Sequence, residues 1–360
     1  MKNIFVVNTP FHLLTAFILQ KSHFKKDDNY LVLIRPSGYE QWHCSKNIKY
    51  MASKECGYKE VYYLINFLSR INKKESYRNQ VKKIRNIIGC LSADNIFVGN
   101  DLDPKNQLFI ASLEFNKFNR FEDGLYSYYN KNRYRPLGKV LFDKIKMNLQ
   151  RKLYGIKGKI TINTLVDGNH KDAISDYMYK PNLLQRYSPN TIEITKDNIQ
   201  TAISELVNKK ILYPKLKSLS AIYFSQPLVE RKELSIEDEL KCLKDIIMLL
   251  NNNFELLYKP HPHDNKNKIK FFKEKIPSLK IFNSMRPAEL SYGIEKNLKI
   301  VFSYQSTALM YVDKFASHSI KSISLSDYNK IYIHPKYKEI LMNSGVIFPK
   351  NMTELKKVIY

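Results

Sequence analysis

The sequence predicts an α/β protein built as two Rossmann-like domains, and three observations carry that expectation. Short runs rich in β-branched and aromatic residues recur along the chain, each separated from the next by a stretch long enough for a crossover helix. The alternation blurs between 159 and 206 and restarts at Ala221, beyond a polar, basic stretch at 208–217 that carries Pro214. A length of 360 residues exceeds one ordinary core, so domains are expected at 1–210 and 211–360.

The first half reads strand, loop, helix from its start. Residues 4–7 are a buried strand, and Thr9 then caps a helix with Pro10 in its first position and Phe11, Leu14, Phe17 and Ile18 at helical spacing. Strands follow at 30–34, 60–64, 95–98 and 118–121, with helices at 42–48 and 75–91. The sheet should be largely parallel. A basic amphipathic helix is expected over 140–154, where Leu141, Ile145, Leu149 and Leu153 share a stripe flanked by Lys144, Lys146, Arg151 and Lys152. Such a helix packs its stripe on a core or lies on an anionic membrane face. Residues 159–163 and 191–194 read as strands and 199–206 as a helix.

The second half repeats the rhythm. Strands are expected at 221–224, 254–258, 280–282 and 299–302, with helices at 235–250, from Arg286-Pro287 through Leu290, and from Ser306-Thr307 through Met310. No GxGxxG fingerprint follows any strand, which argues against a dinucleotide cofactor.

Composition narrows the function further. A hydrophobic fraction of 44% and an aromatic fraction of 12% are those of a globular chain. The formal charge of +25 predicts attraction to polyanions, with part of the lysine excess attributable to an AT-rich genome. Cys44, Cys56, Cys90 and Cys242 show neither CxxC nor CxxH spacing, so no zinc site or disulfide framework is expected and a reducing cytoplasm fits. The opening apolar run is too short for a signal peptide, and no stretch is apolar for long enough to span a bilayer.

Chemistry-bearing residues gather at the carboxyl ends of the predicted strands, where ligands of open α/β sheets bind. Glu122-Asp123-Gly124 follows the strand at 118–121; the glycine permits a sharp turn that leaves a carboxylate outward as a general base. Lys259-Pro260-His261-Pro262-His263-Asp264 ends the strand at 254–258 in an extended polar tip stiffened by two prolines. Ser225-Gln226-Pro227 ends the strand at 221–224. Ser306 and Thr307 open a helix and combine N-cap hydroxyls with a place for phosphate. Glu289 lies in the first turn of its helix. Taken singly, each fits an ordinary turn or cap.

Together, Glu122-Asp123-Gly124, His261-Pro262, Glu289 and Ser306-Thr307 resemble, in order and spacing, the motifs of bacterial sialyltransferases. Asn8-Thr9-Pro10-Phe11-His12-Leu13 further resembles the opening of the lipooligosaccharide sialyltransferase family, to which bacterial polysialyltransferases are related. The resemblance implies a glycosyltransferase-B fold, two Rossmann-like domains facing a central cleft, with the donor held mainly by the C-terminal one. It implies inverting transfer of sialic acid from CMP-sialic acid to a terminal sugar hydroxyl of a lipooligosaccharide or capsular glycan, galactose being the expected acceptor, without a metal or other cofactor. Asp123 would be the general base, His261 the acid assisting the leaving phosphate, Glu289 a ribose ligand, and Ser306 and Thr307 phosphate ligands. The family's paired serines are Ser-Thr here. Ser225, Gln226, Lys259 and Pro262 join the donor set by their strand-end position. The expected partners are the CMP-sugar, a glycan or glycolipid acceptor and the inner membrane face, with a homodimer compatible and nucleic acid not expected.

Two readings from other classes compete. His261, His263 and Asp264 could ligate a metal in a hydrolase, although Asn265 and Lys266 break the usual His-x-His-x-Asp-His continuation. The charge and 25 tyrosines could serve a polyanion binder, but the tyrosines are scattered and form no recognition motif. Within the enzyme class, a chain-extending polysialyltransferase or a transferase with another donor is the nearest alternative.

Overall fold

The computed structural model describes residues 1–34, 45–64, 92–101, 103–111, 113–128, 173–186, 188, 190–282 and 286–360, with single helical positions at 79 and between 138 and 152. The elements expected at 75–91 and 159–163, the Trp42 end of the helix at 42–48 and part of 140–154 lie outside the described residues. The chain divides into two compact units, Met1–Ile211 and Leu212–Tyr360.

In the first unit, β1 Lys2–Val7, β2 Asp28–Ile34, β3 Glu60–Leu64, β4 Ser92–Val98, β5 Glu114–Phe121, β6 Ala173–Met178 and β7 Thr191–Glu193 form one parallel sheet in the order β3-β2-β1-β4-β5-β6-β7. The chain winds from β1 out to β3, crosses back to β4, and winds the other way to β7. Its topological switch point therefore lies between β1 and β4. Phe5, Val6 and Val7 are fully buried, as a strand covered on both faces requires. Phe97 stacks on Phe5, with ring centroids 4.7 Å apart, and Phe24 packs against Phe97 at the same distance.

Strand β6 was not expected, and its sequence explains why. Ala-Ile-Ser-Asp-Tyr-Met puts two polar residues at its centre, Ser175 and Asp176, and both are buried. Asp176 accepts from Arg120 Nε at 2.6 Å and Nη2 at 2.8 Å, and from Arg186 Nη1 at 2.8 Å. Arg120 also reaches Asp101 at 3.3 Å. Burial opposes the charge of Asp176, but Arg186 and Arg120 outweigh it and hold the carboxyl below the usual range. An ion cluster thus occupies a place where apolar periodicity would have signalled a strand. The helix Pro104–Ile110 was likewise not foreseen.

In the second unit, β8 Ser220–Phe224, β9 Glu255–Lys259, β10 Lys280–Ile281, β11 Leu298–Ser303 and β12 Lys321–Ser324 form a parallel sheet in the order β10-β9-β8-β11-β12. Here the switch point lies between β8 and β11. The helix Ile236–Leu250, capped by Ser235, buries Cys242, Leu243, Ile246 and Leu250 against Tyr223 and Tyr258, whose rings stack 5.5 Å apart. The helix expected from Ser306-Thr307 is a 3-10 turn, Thr307–Tyr311, followed by the short helix Val312–Phe315. Its amide dipoles are fewer and less aligned than those of a full α-helix.

The ion cluster beneath β5 and β6 gives a direct test of the first unit. Asp176→Asn removes the buried carboxylate that Arg120 and Arg186 share, and urea unfolding should show a loss of about 3–5 kcal/mol. An unchanged midpoint would mean that these charges are solvated.

Candidate active site

The first unit gathers its polar groups at the switch point. Strand β1 ends at Val7, and Asn8-Thr9 leads into the helix Pro10–Lys21, where the Thr9 side chain accepts from the His12 backbone N–H at 3.1 Å. That cap, worth about 1 kcal/mol, fixes the first turn and with it the His12 ring. Strand β4 ends at Val98 and delivers Gly99-Asn100; strand β5 ends at Phe121 and delivers Glu122-Asp123-Gly124. Three strand ends thus surround Asp123.

Its carboxylate is held on both oxygens. His12 Nε2 contacts Oδ1 in a very short hydrogen bond, and Asn100 Nδ2 donates to Oδ2 at 2.8 Å. The Asp123 backbone N–H donates to Ser127 Oγ at 2.8 Å. His12 is 1% exposed and Asp123 24%, so the acid keeps an open edge while its partner is buried. The Asn8 backbone N–H points at His12 Nδ1 at 3.4 Å, which leaves Nε2 to carry the ring proton toward the carboxylate. Asn8 and Asn106 exchange amide hydrogen bonds of 2.9 and 2.8 Å, and Asn106 also donates to the Asn100 carbonyl at 2.6 Å. Asn8 and Thr9 therefore support the site through His12 and Asn100.

Two glycines are required here. A Cβ on Gly99 would stand 2.8 Å from both His12 Nε2 and Phe121 Cε2, so only glycine lets β4 end this close to the ring. Gly124 has φ 89° and ψ −157°, a region open essentially to glycine alone. The two acids of the motif have separate fates. Glu122 is fully buried and accepts from Tyr128 Oη at 2.6 Å and the Tyr179 N–H at 2.7 Å. It anchors the turn, and Asp123 alone faces outward.

In the second unit Gln226 and Ser306-Thr307 lie at the ends of β8 and β11, which flank the switch point, while Lys259 and His261 end the neighbouring strand β9 and Glu289 lies on the helix Ala288–Ile294. The Gln305 backbone N–H donates to Gln226 Oε1 at 2.6 Å, linking the ends of β8 and β11 directly. Ser306 and Thr307 follow, half-buried, with Ser306 Oγ accepting from the Ala308 N–H at 3.2 Å. Lys259 Nζ donates to the Arg286 carbonyl at 2.9 Å. Burial pushes its amine down to about 8 against the pull of Glu289, whose own carboxyl burial pushes up. Glu289 is 6% exposed, deeper than a surface helix-turn acid. Ser225 is 4% exposed and accepts from Tyr258 Oη at 2.7 Å, which places it beneath the tip.

The His-Pro tip closes on itself. Asp264 N–H donates to the His261 carbonyl at 3.0 Å, Asp264 Oδ2 accepts from the His261 N–H at 2.9 Å, and the His263 N–H donates to His261 Nδ1 at 3.1 Å. Burial pushes His261 down to about 4, a depression that Asp264 only partly offsets. Asp264 is turned inward to Lys268 Nζ at 2.8 Å, so it does not join His261 and His263 as a ligand set. Among the described residues, no group of three His, Cys, Asp or Glu side chains is arranged to hold a metal ion.

A family model described as alpha-2,8-polysialyltransferase (POLYST) matches residues 3–325. The chain belongs to that family. The alpha-2,8-polysialyltransferase family is the relative named by the sequence resemblance, and membership makes the chain a glycosyltransferase of sialyltransferase type. Among solved structures, UDP-GlcNAc 2-epimerase from Neisseria meningitidis, bound to UDP-GlcNAc, is similar with a TM-score of 0.54 at 12% identity, over 100% of this chain and 90% of that one. The Methanocaldococcus jannaschii UDP-GlcNAc 2-epimerase in complex with UDP-GlcNAc and UDP gives 0.52 at 14% identity, over 100% and 92%. E. coli heptosyltransferase WaaC gives 0.49 at 10%, over 100% and 99%. The two epimerase likenesses and the two parallel sheets give the fold, which is of the glycosyltransferase-B type. No curated protein matches the sequence.

For this polysialyltransferase-family chain, sequence reasoning missed two groups that touch Asp123, His12 and Asn100. His12 was quoted only as part of the opening motif. Its signal was available in a helix whose third residue is a histidine just after a strand end, but its partner lies 111 residues away.

The depressed His261 carries a stability prediction. The unfolded ring binds a proton near its ordinary pKa of about 6.5, whereas the folded one does so only near 4. Between those values the unfolded state holds more protons, so stability falls as pH drops through that window. Denaturant unfolding at pH 7 and pH 5 should show a larger loss for the wild type than for His261→Gln. Equal losses would contradict the half-buried, neutral ring.

Proposed function

We propose that this chain is an inverting, metal-independent polysialyltransferase that moves sialic acid from CMP-sialic acid onto a hydroxyl of a sialic-acid-terminated glycan. The observation that carries the reading is Asp123, fixed on both oxygens by His12 and Asn100 yet open on one edge at a sheet's switch point. The family match supports the donor and acceptor class. The charge of +25 suits a polyanionic product, because a positive surface raises the local concentration of an anionic chain.

The acceptor oxygen attacks the anomeric carbon of the donor as the carbon–phosphate-oxygen bond breaks, and CMP departs from the opposite face with inversion. Asp123 takes the hydroxyl proton late in that step, when the oxygen has become acidic. His261, Ser306 and Thr307 receive the charge that collects on the phosphate. Gln226, Lys259 and Glu289 complete the donor-binding set, with Ser225 and Pro262 shaping the tip that carries His261. The second unit holds the nucleotide and the first supplies the base.

A second reading, single transfer to a lipooligosaccharide acceptor, is favoured by the opening motif that supplies His12. The acceptor decides between them. Membrane docking belongs to both: Leu141, Phe142, Ile145 and Leu149 are 60%, 65%, 52% and 56% exposed, with Lys146 and Lys152 exposed beside them. An apolar stripe left open with lysines around it suits the anionic inner leaflet. Among the described residues, no helix is long and apolar enough to cross a membrane.

With CMP-sialic acid and an oligosialic acid acceptor, Asp123→Ala should lower kcat by at least ~100-fold, and His12→Ala by ~10-fold or more, each with a wild-type unfolding profile. Elongation products measured by chromatography check both. Full activity in Asp123→Ala removes it from the mechanism, and transfer to a galactose-terminated acceptor alone would select the second reading.

A further inference from the structure

The His-Pro tip rests on a buried ionic network that its surface sequence conceals. Lys268, 2% exposed on the helix Lys266–Lys275, sits 2.8 Å from Asp264, 3.4 Å from Glu230 and 3.5 Å from Glu239. Its amine also lies 3.3 Å from Ser225 Oγ. Burial works against the charge of Lys268, but Glu239, Asp264 and Glu230 together raise its pKa. Asp264, held in this way, has Oδ2 committed to the Tyr258 hydroxyl at 3.1 Å and to the His261 N–H at 2.9 Å. The tip cannot move without breaking a charge pair that burial makes costly to leave open.

This fixed tip decides what the His261 ring can do. Its Nδ1 faces the His263 backbone N–H, a donor that cannot be removed, so a proton on Nδ1 would set two donors against each other. The ring proton therefore belongs on Nε2, which meets no acceptor among the described residues. The charged groups around the ring are Asp264 and His263 of the same tip, Arg231 from the segment after β8, and Lys268 from the helix behind. Only Asp264 favours an imidazolium, and its oxygens are already occupied. The direction of the shift agrees with the geometry.

We propose that His261 serves the departing phosphate as a neutral Nε2–H hydrogen-bond donor, its tautomer set by the His263 backbone N–H, and not as a proton-transferring imidazolium. The inference rests on the sialyltransferase reading of the same site and specifies how that site handles the leaving group. The chemistry permits it. A phosphate monoester has its second pKa near about 6, so CMP leaves at neutral pH as a stable dianion. The electron pair of the breaking bond stays on the phosphate oxygen, and the acceptor's proton goes to Asp123. No proton needs to cross from His261. A hydrogen bond that strengthens as charge accumulates is sufficient, and Ser306 and Thr307 add others.

The test uses the full chain labelled with nitrogen-15 histidine, free and with CMP, the His261→Gln variant identifying the His261 signals. Between about pH 6 and about pH 8 the ring should carry one proton, on Nε2, in both states. In the transfer assay His261→Ala should lose at least ~100-fold in kcat, and His261→Gln, whose amide keeps a neutral N–H near the Nε2 position, should recover ~10-fold or more of that loss with the same pH profile. A doubly protonated ring in the CMP complex at neutral pH overturns the proposal, as does a glutamine variant no better than alanine joined to a wild-type alkaline limb that the variant lacks. CMP binding and transfer would then still stand. Absence of CMP binding defeats the sialyltransferase reading itself, and the inference with it.

Discussion

A carboxylate that takes a proton from a sugar hydroxyl must be fixed in direction and open on one edge, and the contact between His12 and Asp123 meets both conditions. Much of the first unit follows from that contact. The His12 ring is held by a helix cap, its tautomer by the Asn8 backbone, and its distance from β4 by the absence of a side chain on Gly99. Asn100 holds the second oxygen, and Gly124 turns the chain away so that the acid stays exposed while Glu122 is drawn into the core. Elements far apart in the chain meet because a parallel doubly wound sheet brings all its strand ends to one edge.

In the proposed reaction the second unit meets a complementary requirement. The groups that receive a leaving phosphate have to be in place before charge appears, because reorganisation during the reaction would cost part of the stabilisation. The inward-facing Asp264 and Lys268 provide that rigidity. Burial has consequences for the neighbouring acids: Glu239 is pushed up to about 7, with Lys268 pulling against the shift. The network beneath the tip therefore carries a carboxyl that keeps its proton to a higher pH than an ordinary glutamate, next to a lysine whose acidic neighbours favour its charge.

Much of the fold was legible because local chemistry and tertiary position agree. Thr9 reads as a cap and is one; the strands at 60–64 and 221–224 read as aromatic and β-branched runs and lie in the sheets. Where burial depends on charge pairing, the pattern was silent. Strand β6 hides behind Asp176, and the helix carrying Lys268 reads Lys-Asn-Lys-Ile-Lys-Phe-Phe-Lys-Glu-Lys, a composition that signals a solvated surface. For the candidate site, the motif residues were visible as strand-end punctuation, and the structure sets Asp123 at one switch point and Gln226, Ser306 and Thr307 at the other, with His261 at the end of the adjacent strand β9. The partnerships were not visible. That His12 meets Asp123, or that the His263 backbone N–H meets His261 Nδ1, depends on spatial order that no local spacing encodes. Ser306 and Thr307 show the converse case, a good cap signal realised in a 3-10 turn.

The central claim is that these motifs bind a CMP-linked donor without a metal. Calorimetry of the wild-type chain with CMP, UMP, GMP and AMP in the presence of EDTA tests it most directly. The account predicts measurable binding of CMP in preference to the other three. Binding of another nucleotide in preference to CMP, or CMP affinity that disappears with the chelator, would contradict it.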